Sequence, residues 1–154
     1  MVNVGEKAPH FEAVTDEGKA ISLADYEGKV VVLFFYPKAQ SKGCTDQACG
    51  FRDIYEDLVG LGAEIIGVSV DSVEEQAEFK LKRKLPYPLI ADTDKAVSKL
   101  YGGLGWLGKA NRVTFLIDEE GMVRKKWKLT SVLAQLSLAN HAQDVEEAIK
   151  ELKN

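Results

Sequence analysis

Apolar residues run unbroken from Val30 to Tyr36 and stop at Pro37. The run is β-branched and aromatic and shows no alternation, so it predicts a strand buried on both faces. A second run, Ala63 to Val70, predicts another such strand. Between them the period changes. Phe51, Ile54, Tyr55 and Leu58 recur at helical spacing, with Arg52, Asp53, Glu56 and Asp57 between them. That pattern predicts a helix from about Cys44 to about Gly60, stopped by Gly60 and Gly62. Asp71 or Ser72 can cap a charged helix from Val73 to about Lys84, and Pro86 and Pro88 then open an extended segment through Ile90. Thr93 to Tyr101 reads as a short helix and Val113 to Ile117 as a further strand. Met122 to Trp127 pairs back on that strand across the turn Asp118 to Gly121. Near the start, Glu12 to Thr15 and Lys19 to Ser22 form short strands joined by Asp16, Glu17 and Gly18. The last helix spans about Asp144 to Leu152, with Val145, Ala148, Ile149 and Leu152 on one face. Strands alternating with helices predict an α/β fold, a mainly parallel sheet covered by helices, with an antiparallel edge.

No repeat, linker or break in composition divides the 154 residues, so residues 1–154 form one domain. The composition, 45% apolar and 29% charged, excludes collagen-like, low-complexity and disordered chains. The balance of 20 basic against 24 acidic residues, net −4, lacks the excess that nucleic-acid binding needs. Neither apolar run approaches the roughly 20 residues that cross a bilayer, so no membrane partner is expected. Met1 to Phe11 carries Glu6, Lys7, Pro9 and His10 and has no apolar signal core, which points to the cytoplasm.

Only two cysteines are present, Cys44 and Cys49, too few for the disulfide scaffold of a small secreted domain. With His10 and His141 as the only histidines, both remote in sequence, a four-ligand zinc site is disfavoured. There is no C-x-x-C pair. Two readings remain open: two inert thiols, or one reactive thiol with a companion. Cys44 falls just after a predicted central strand and at the start of a predicted helix. Ligands gather at the carboxyl ends of strands in open α/β sheets, and a helix start offers free N–H groups and partial positive charge. Both favour a thiolate over a thiol at Cys44. Lys42, two residues upstream, would add to this if it pointed at the sulfur, and the Ser41 hydroxyl is near enough to hydrogen-bond a thiolate or a bound oxygen. Residues five apart in a helix are about 7.5 Å apart along the axis and about 140° around it, or roughly 8.7 Å between Cα atoms. A disulfide needs less than about 7 Å. Cys44 and Cys49 therefore bond only if the first turns unwind, which favours a bridge that forms and breaks.

The segment Val31 to Asp53, VVLFFYPKAQSKGCTDQACGFRD, resembles the active-site region of the peroxiredoxins, closest to the bacterioferritin-comigratory-protein or Q type. GEKAPHF, IIGVSVDS, LPYPLIAD and RVTFLIDEEG extend the resemblance over almost the whole chain. It implies a thioredoxin-like fold, a central mixed sheet flanked by helices with an N-terminal β-hairpin extension, and a thiol peroxidase acting on hydrogen peroxide and organic hydroperoxides. The family spaces a Pro, a Thr or Ser and the peroxidatic Cys as Pro37, Ser41 and Cys44 stand here. Arg112, opening RVTFLID, matches the family's late-strand Arg, and Cys49 matches the resolving Cys of many Q-type members. Three positions depart from the usual pattern: Ser41 where Thr is common, Lys42 where Pro is usual, and Gln40 where an acidic residue is common. The hydroxyl survives at 41, without the methyl that fixes its rotamer.

By this resemblance the Cys44 thiolate attacks a peroxide oxygen, and Arg112, the Cys44 N–H and Ser41 stabilise the developing charge. Pro37 shields the sulfur. Cys44 becomes a sulfenic acid, Cys49 resolves it as a disulfide after local unwinding, and a thioredoxin-like dithiol reduces the bridge. No flavin, haem or metal cofactor is required. A one-Cys peroxidase with an external resolving thiol and a non-enzymatic redox sensor or chaperone are the rival readings. A monomer or weak homodimer is expected. Trp106 and Trp127 are read as packing. The glycine-rich YGGLGWLGK stretch lacks the strand-then-helix context of a nucleotide fingerprint, so it closes over one side of the site or simply connects elements.

Overall fold

The computed structural model describes residues 1–105, 108–129 and 138–154. Strands β1 (Glu12–Val14) and β2 (Ala20–Ser22) form the N-terminal antiparallel hairpin. The main sheet holds β3 (Val30–Phe35), β4 (Ala63–Ser69), β5 (Leu89–Ala91), β6 (Val113–Ile117) and β7 (Val123–Lys128). Its helices are α1 (Lys42–Gly60), α2 (Val73–Arg83), α3 (Ala96–Leu100) and α4 (Leu138–Lys153). The spatial order is β5-β4-β3-β6-β7. β3, β4 and β5 are parallel, whereas β3–β6 and β6–β7 are antiparallel.

The sheet is therefore evenly mixed rather than mainly parallel. A helix between two strands predicts a parallel crossover, and β3 to β4 to β5 obeys it. After α3 the chain passes to the far side of β3 and enters β6 reversed, a step that no local pattern encodes.

β3 is buried along its whole length because both sheet faces are covered. Val30, Val32, Phe34 and Tyr36 pack with Phe51 and Leu58 of α1, Phe79 of α2 and Val145 and Ile149 of α4. Val31, Leu33 and Phe35 pack on the other face with Phe11, Val97, Tyr101 and Phe115. Gly67 in β4 permits this density: a Cβ there would lie 2.8 Å from Leu89 Cδ2 and 3.0 Å from Phe34 Cζ.

α1 buries Cys44, Gln47, Ala48, Phe51 and Leu58 as one stripe, and it begins two residues before the predicted start. Gly62, at φ 80°, turns the chain from α1 into β4. Ser72, not Asp71, caps α2: its side chain accepts from the Glu75 N–H while Glu75 reaches back to the Ser72 N–H. α4 begins at Leu138, six residues before the predicted start. The polar residues Asn140, His141 and Gln143 hide the apolar period there, although Leu138 and Ala142 are buried.

Candidate active site

The site lies where β3 runs out and α1 begins. Tyr36 ends the apolar run, and Pro37, half-buried, follows it. The connecting loop is held from below by Asp71. Its Oδ2 accepts from the Ala39 N–H at 2.7 Å and from the Ser69 hydroxyl at 2.6 Å. Gln40 takes a left-handed φ of 66°, which turns the chain into the helix. Ser41 is the N-cap residue, and its carbonyl accepts the Thr45 N–H at 2.8 Å. Its hydroxyl donates to the Lys38 carbonyl at 3.1 Å rather than to the sulfur.

Cys44 sits in the first turn of α1, where backbone N–H groups have no partner within the helix, and it is fully buried. Arg112, 8% exposed, reaches it from the residue before β6: Nη2 donates to Sγ at 3.3 Å. The same guanidinium donates through Nη1 to Gln47 Oε1 at 2.9 Å. Gly43 makes this approach feasible, since a Cβ there would lie 3.2 Å from Arg112 Nη2. Two residues 68 positions apart are thus joined, a cation on a sulfur that water does not reach.

Lys42 takes no part. Its ammonium pairs with Asp46 at 3.2 Å on the solvent face of α1, as i,i+4 spacing dictates, and so points away from the sulfur. Cys49 is half-buried further along the same intact helix, and both thiols are free. Just before it, the Ala48 carbonyl accepts the Tyr87 hydroxyl at 2.7 Å, a pin on the second turn. Pro37, Ser41, Cys44 and Arg112 converge on one end of the sheet, with Cys49 on the helix that carries Cys44.

Residues 4–126 match the AhpC/TSA family. The chain belongs to that family and is a peroxiredoxin. Over 138 residues it is 44% identical to the putative peroxiredoxin bcp of Coxiella burnetii, covering 85% of this chain and 91% of that one. The peroxidoxin BcpB structure of Mycobacterium tuberculosis superposes over 100% of both chains with a TM-score of 0.90 at 30% identity. A Xanthomonas campestris bacterioferritin comigratory protein, whose structures concern alkyl peroxide reduction, matches at 28% identity and TM-score 0.84, over 94% of this chain and 92% of that one. The thioredoxin-like fold and the Q-type assignment expected from the sequence agree with these matches. As a peroxiredoxin the chain is a thiol-dependent peroxidase.

Behind Arg112 lies a run of buried polar residues that sequence reasoning missed. Gln47, Thr114 and His141 are all buried and extend inward from Arg112. Gln47 Nε2 donates to Thr114 Oγ1 at 3.5 Å, and Thr114 Oγ1 lies 2.8 Å from His141 Nε2. The imidazole meets Phe51 and Trp127 edge-on, at centroid distances of 5.5 and 5.6 Å. The only sequence signal was a polar residue where an apolar one belongs: Gln47 on the buried stripe of α1 and Thr114 inside VTFLI. Trp127 does pack, whereas Trp106 lies outside the described residues. Leu104 and Ala110 pair as a bridge at the base of the glycine-rich stretch. Among the described residues no three His, Cys, Asp or Glu side chains come together as metal ligands, and no helix is long and apolar enough to cross a membrane.

Burial, reinforced by the Arg112 charge, pushes the His141 pKa from 6.5 down to about 4, so the folded protein holds it neutral. Between those values the unfolded chain binds a proton that the folded chain refuses. Stability is thus undiminished by His141 above pH 6.5 and falls as pH drops towards 4, by up to about 3 kcal/mol. Urea unfolding of wild type and His141→Gln across this range checks it. The difference in stability between the two should change in the variant's favour as pH falls, and a constant difference would contradict the burial argument.

Proposed function

We propose that this peroxiredoxin works by a two-cysteine cycle within one chain. The Cys44 thiolate attacks the terminal oxygen of a hydroperoxide. The O–O bond breaks, the sulfur becomes a sulfenic acid, and the departing oxygen leaves as water or an alcohol after taking a proton. Arg112 sets its cation beside the sulfur and spreads its donors towards the developing charge, together with the free Cys44 N–H. Ser41 turns its hydroxyl from the Lys38 carbonyl to the bound peroxide, a rotation eased by the absence of a threonine methyl. Pro37 keeps bulk water from the sulfur. The first turns of α1 then unwind and release the Tyr87 pin. Cys49 attacks the sulfenic acid, the S–S bond forms and water departs. A thioredoxin-like dithiol reduces the bridge by exchange and is itself oxidised.

The observation that carries this reading is the Arg112 guanidinium on a buried sulfur at a helix start, with Cys49 on the same helix. Hydrogen peroxide and organic hydroperoxides are the proposed substrates; the alkyl peroxide chemistry of the Xanthomonas relative supports the second class. Both cysteines lie on one chain, so a monomer or weak homodimer suffices. The net charge of −4 makes nucleic acid an unsuitable partner, and no membrane is needed. A thiol pair turned over by a dithiol suits a reducing compartment, here taken as the cytoplasm. Mass spectrometry after one equivalent of hydrogen peroxide and alkylation is the test. A Cys44–Cys49 bond within one chain is the expected product. Cys44 held at sulfenic or sulfinic acid with Cys49 still alkylated would overturn the cycle and leave a one-Cys peroxidase or a sensor.

A further inference from the structure

Buried polar side chains demand partners, and the order of donors and acceptors behind Arg112 has a direction. A guanidinium only donates, so Gln47 must turn Oε1 to Arg112 and its NH2 to Thr114. The Thr114 oxygen therefore accepts from Gln47. Among the described residues its own proton has no acceptor except His141 Nε2, 2.8 Å away. A neutral imidazole with a bare Nε2 accepts that proton and so completes the order from Gln47 through Thr114 to His141. The chain runs from Cys44 Sγ through Arg112, Gln47 and Thr114 to His141, linking α1, the start of β6 and α4.

We propose that His141 is a positioning residue for the oxidation of Cys44: as terminal acceptor it orients Thr114 and Gln47, and so holds the Arg112 guanidinium on the sulfur. The proposal rests on the peroxidase cycle above. It also ties the chain to one state of the helix. Gln47 rides on α1 between the two cysteines, so the chain is complete only while that helix is wound. Unwinding for resolution removes Gln47 and breaks it. The chain favours the state that meets peroxide over the state that forms the disulfide.

Rapid-quench alkylation of the full chain separates the two steps. Loss of Cys44 alkylation reports oxidation, and appearance of the Cys44–Cys49 bond reports resolution. His141→Phe keeps an aromatic ring against Phe51 and Trp127 but cannot accept. It should slow oxidation about tenfold, because the reacting geometry loosens, and should leave resolution as fast or faster. His141→Gln places an amide oxygen where Nε2 stood and should oxidise within about threefold of wild type. If the Phe variant does not fold, Thr114→Val cuts the same chain one link nearer and should show the same slowing. Two results would overturn the proposal: an acceptor-free variant that oxidises as fast as wild type, or a Gln variant as slow as the Phe variant, which would make the ring's shape the cause. If wild-type Cys44 itself resists peroxide, the peroxidase cycle fails first and the proposal falls with it.

Discussion

Arg112→Met is expected to slow oxidation of Cys44 by hydrogen peroxide about 10²- to 10³-fold, the usual cost of removing a donor aimed at developing charge. Methionine fills much of the same buried space but donates nothing. The buried sulfur loses its counter-charge, and the transition state loses the donors nearest the two oxygens. A second effect follows. Gln47 Oε1, which accepts from Arg112 at 2.9 Å, is left buried without a partner, at about 1–3 kcal/mol of stability. The assay therefore belongs below the variant's unfolding transition, checked by circular dichroism. Arg112→Lys separates charge from geometry. An ammonium restores a positive charge, but it lacks the planar fork that serves Sγ and Gln47 together. Its rate should fall between methionine and wild type. A methionine variant within a few-fold of the wild-type rate would show that the cation on the sulfur is structural.

Cys49→Ser should act on the other half of the cycle. Cys49 belongs to the same wound helix as Cys44 but has no part in the Arg112 contact, so the first oxidation should proceed at the wild-type rate. Turnover with a dithiol reductant should fall about a hundredfold or more, because the attack on the sulfenic acid loses the high effective concentration of a group in the same chain. The trapped sulfenic acid then meets a second peroxide and climbs to sulfinic acid. Mass spectrometry across a peroxide titration reads all three species. Full turnover by the Ser variant would transfer resolution to an external thiol.

Much of this molecule was legible along the chain. The unbroken apolar run from Val30 to Tyr36 marks a strand covered on both faces, because no exposed face could tolerate it. Helical spacing from Phe51 to Leu58 fixes the face of α1 that meets the sheet, and with it Cys44 at the helix start. The five-residue interval to Cys49 rules out a bridge in the wound helix, since helix geometry alone sets that separation. These are local properties, decided by period, sterics and hydrogen bonding over a few residues.

What tertiary structure decided was who meets whom. β6 runs antiparallel to β3 because the chain crosses the sheet after α3, and that reversal sets Arg112 against the sulfur. Ser41 turns to Lys38 and Lys42 to Asp46 because nearby partners compete for their hydrogen bonds and charge. Gln47, Thr114 and His141 lie up to 67 residues apart where they touch, and each alone looks like a polar lapse in an apolar pattern. A buried polar atom takes whichever partner the closed fold brings within hydrogen-bond distance. Which partner that is depends on long-range packing, a quantity that no window along the sequence contains.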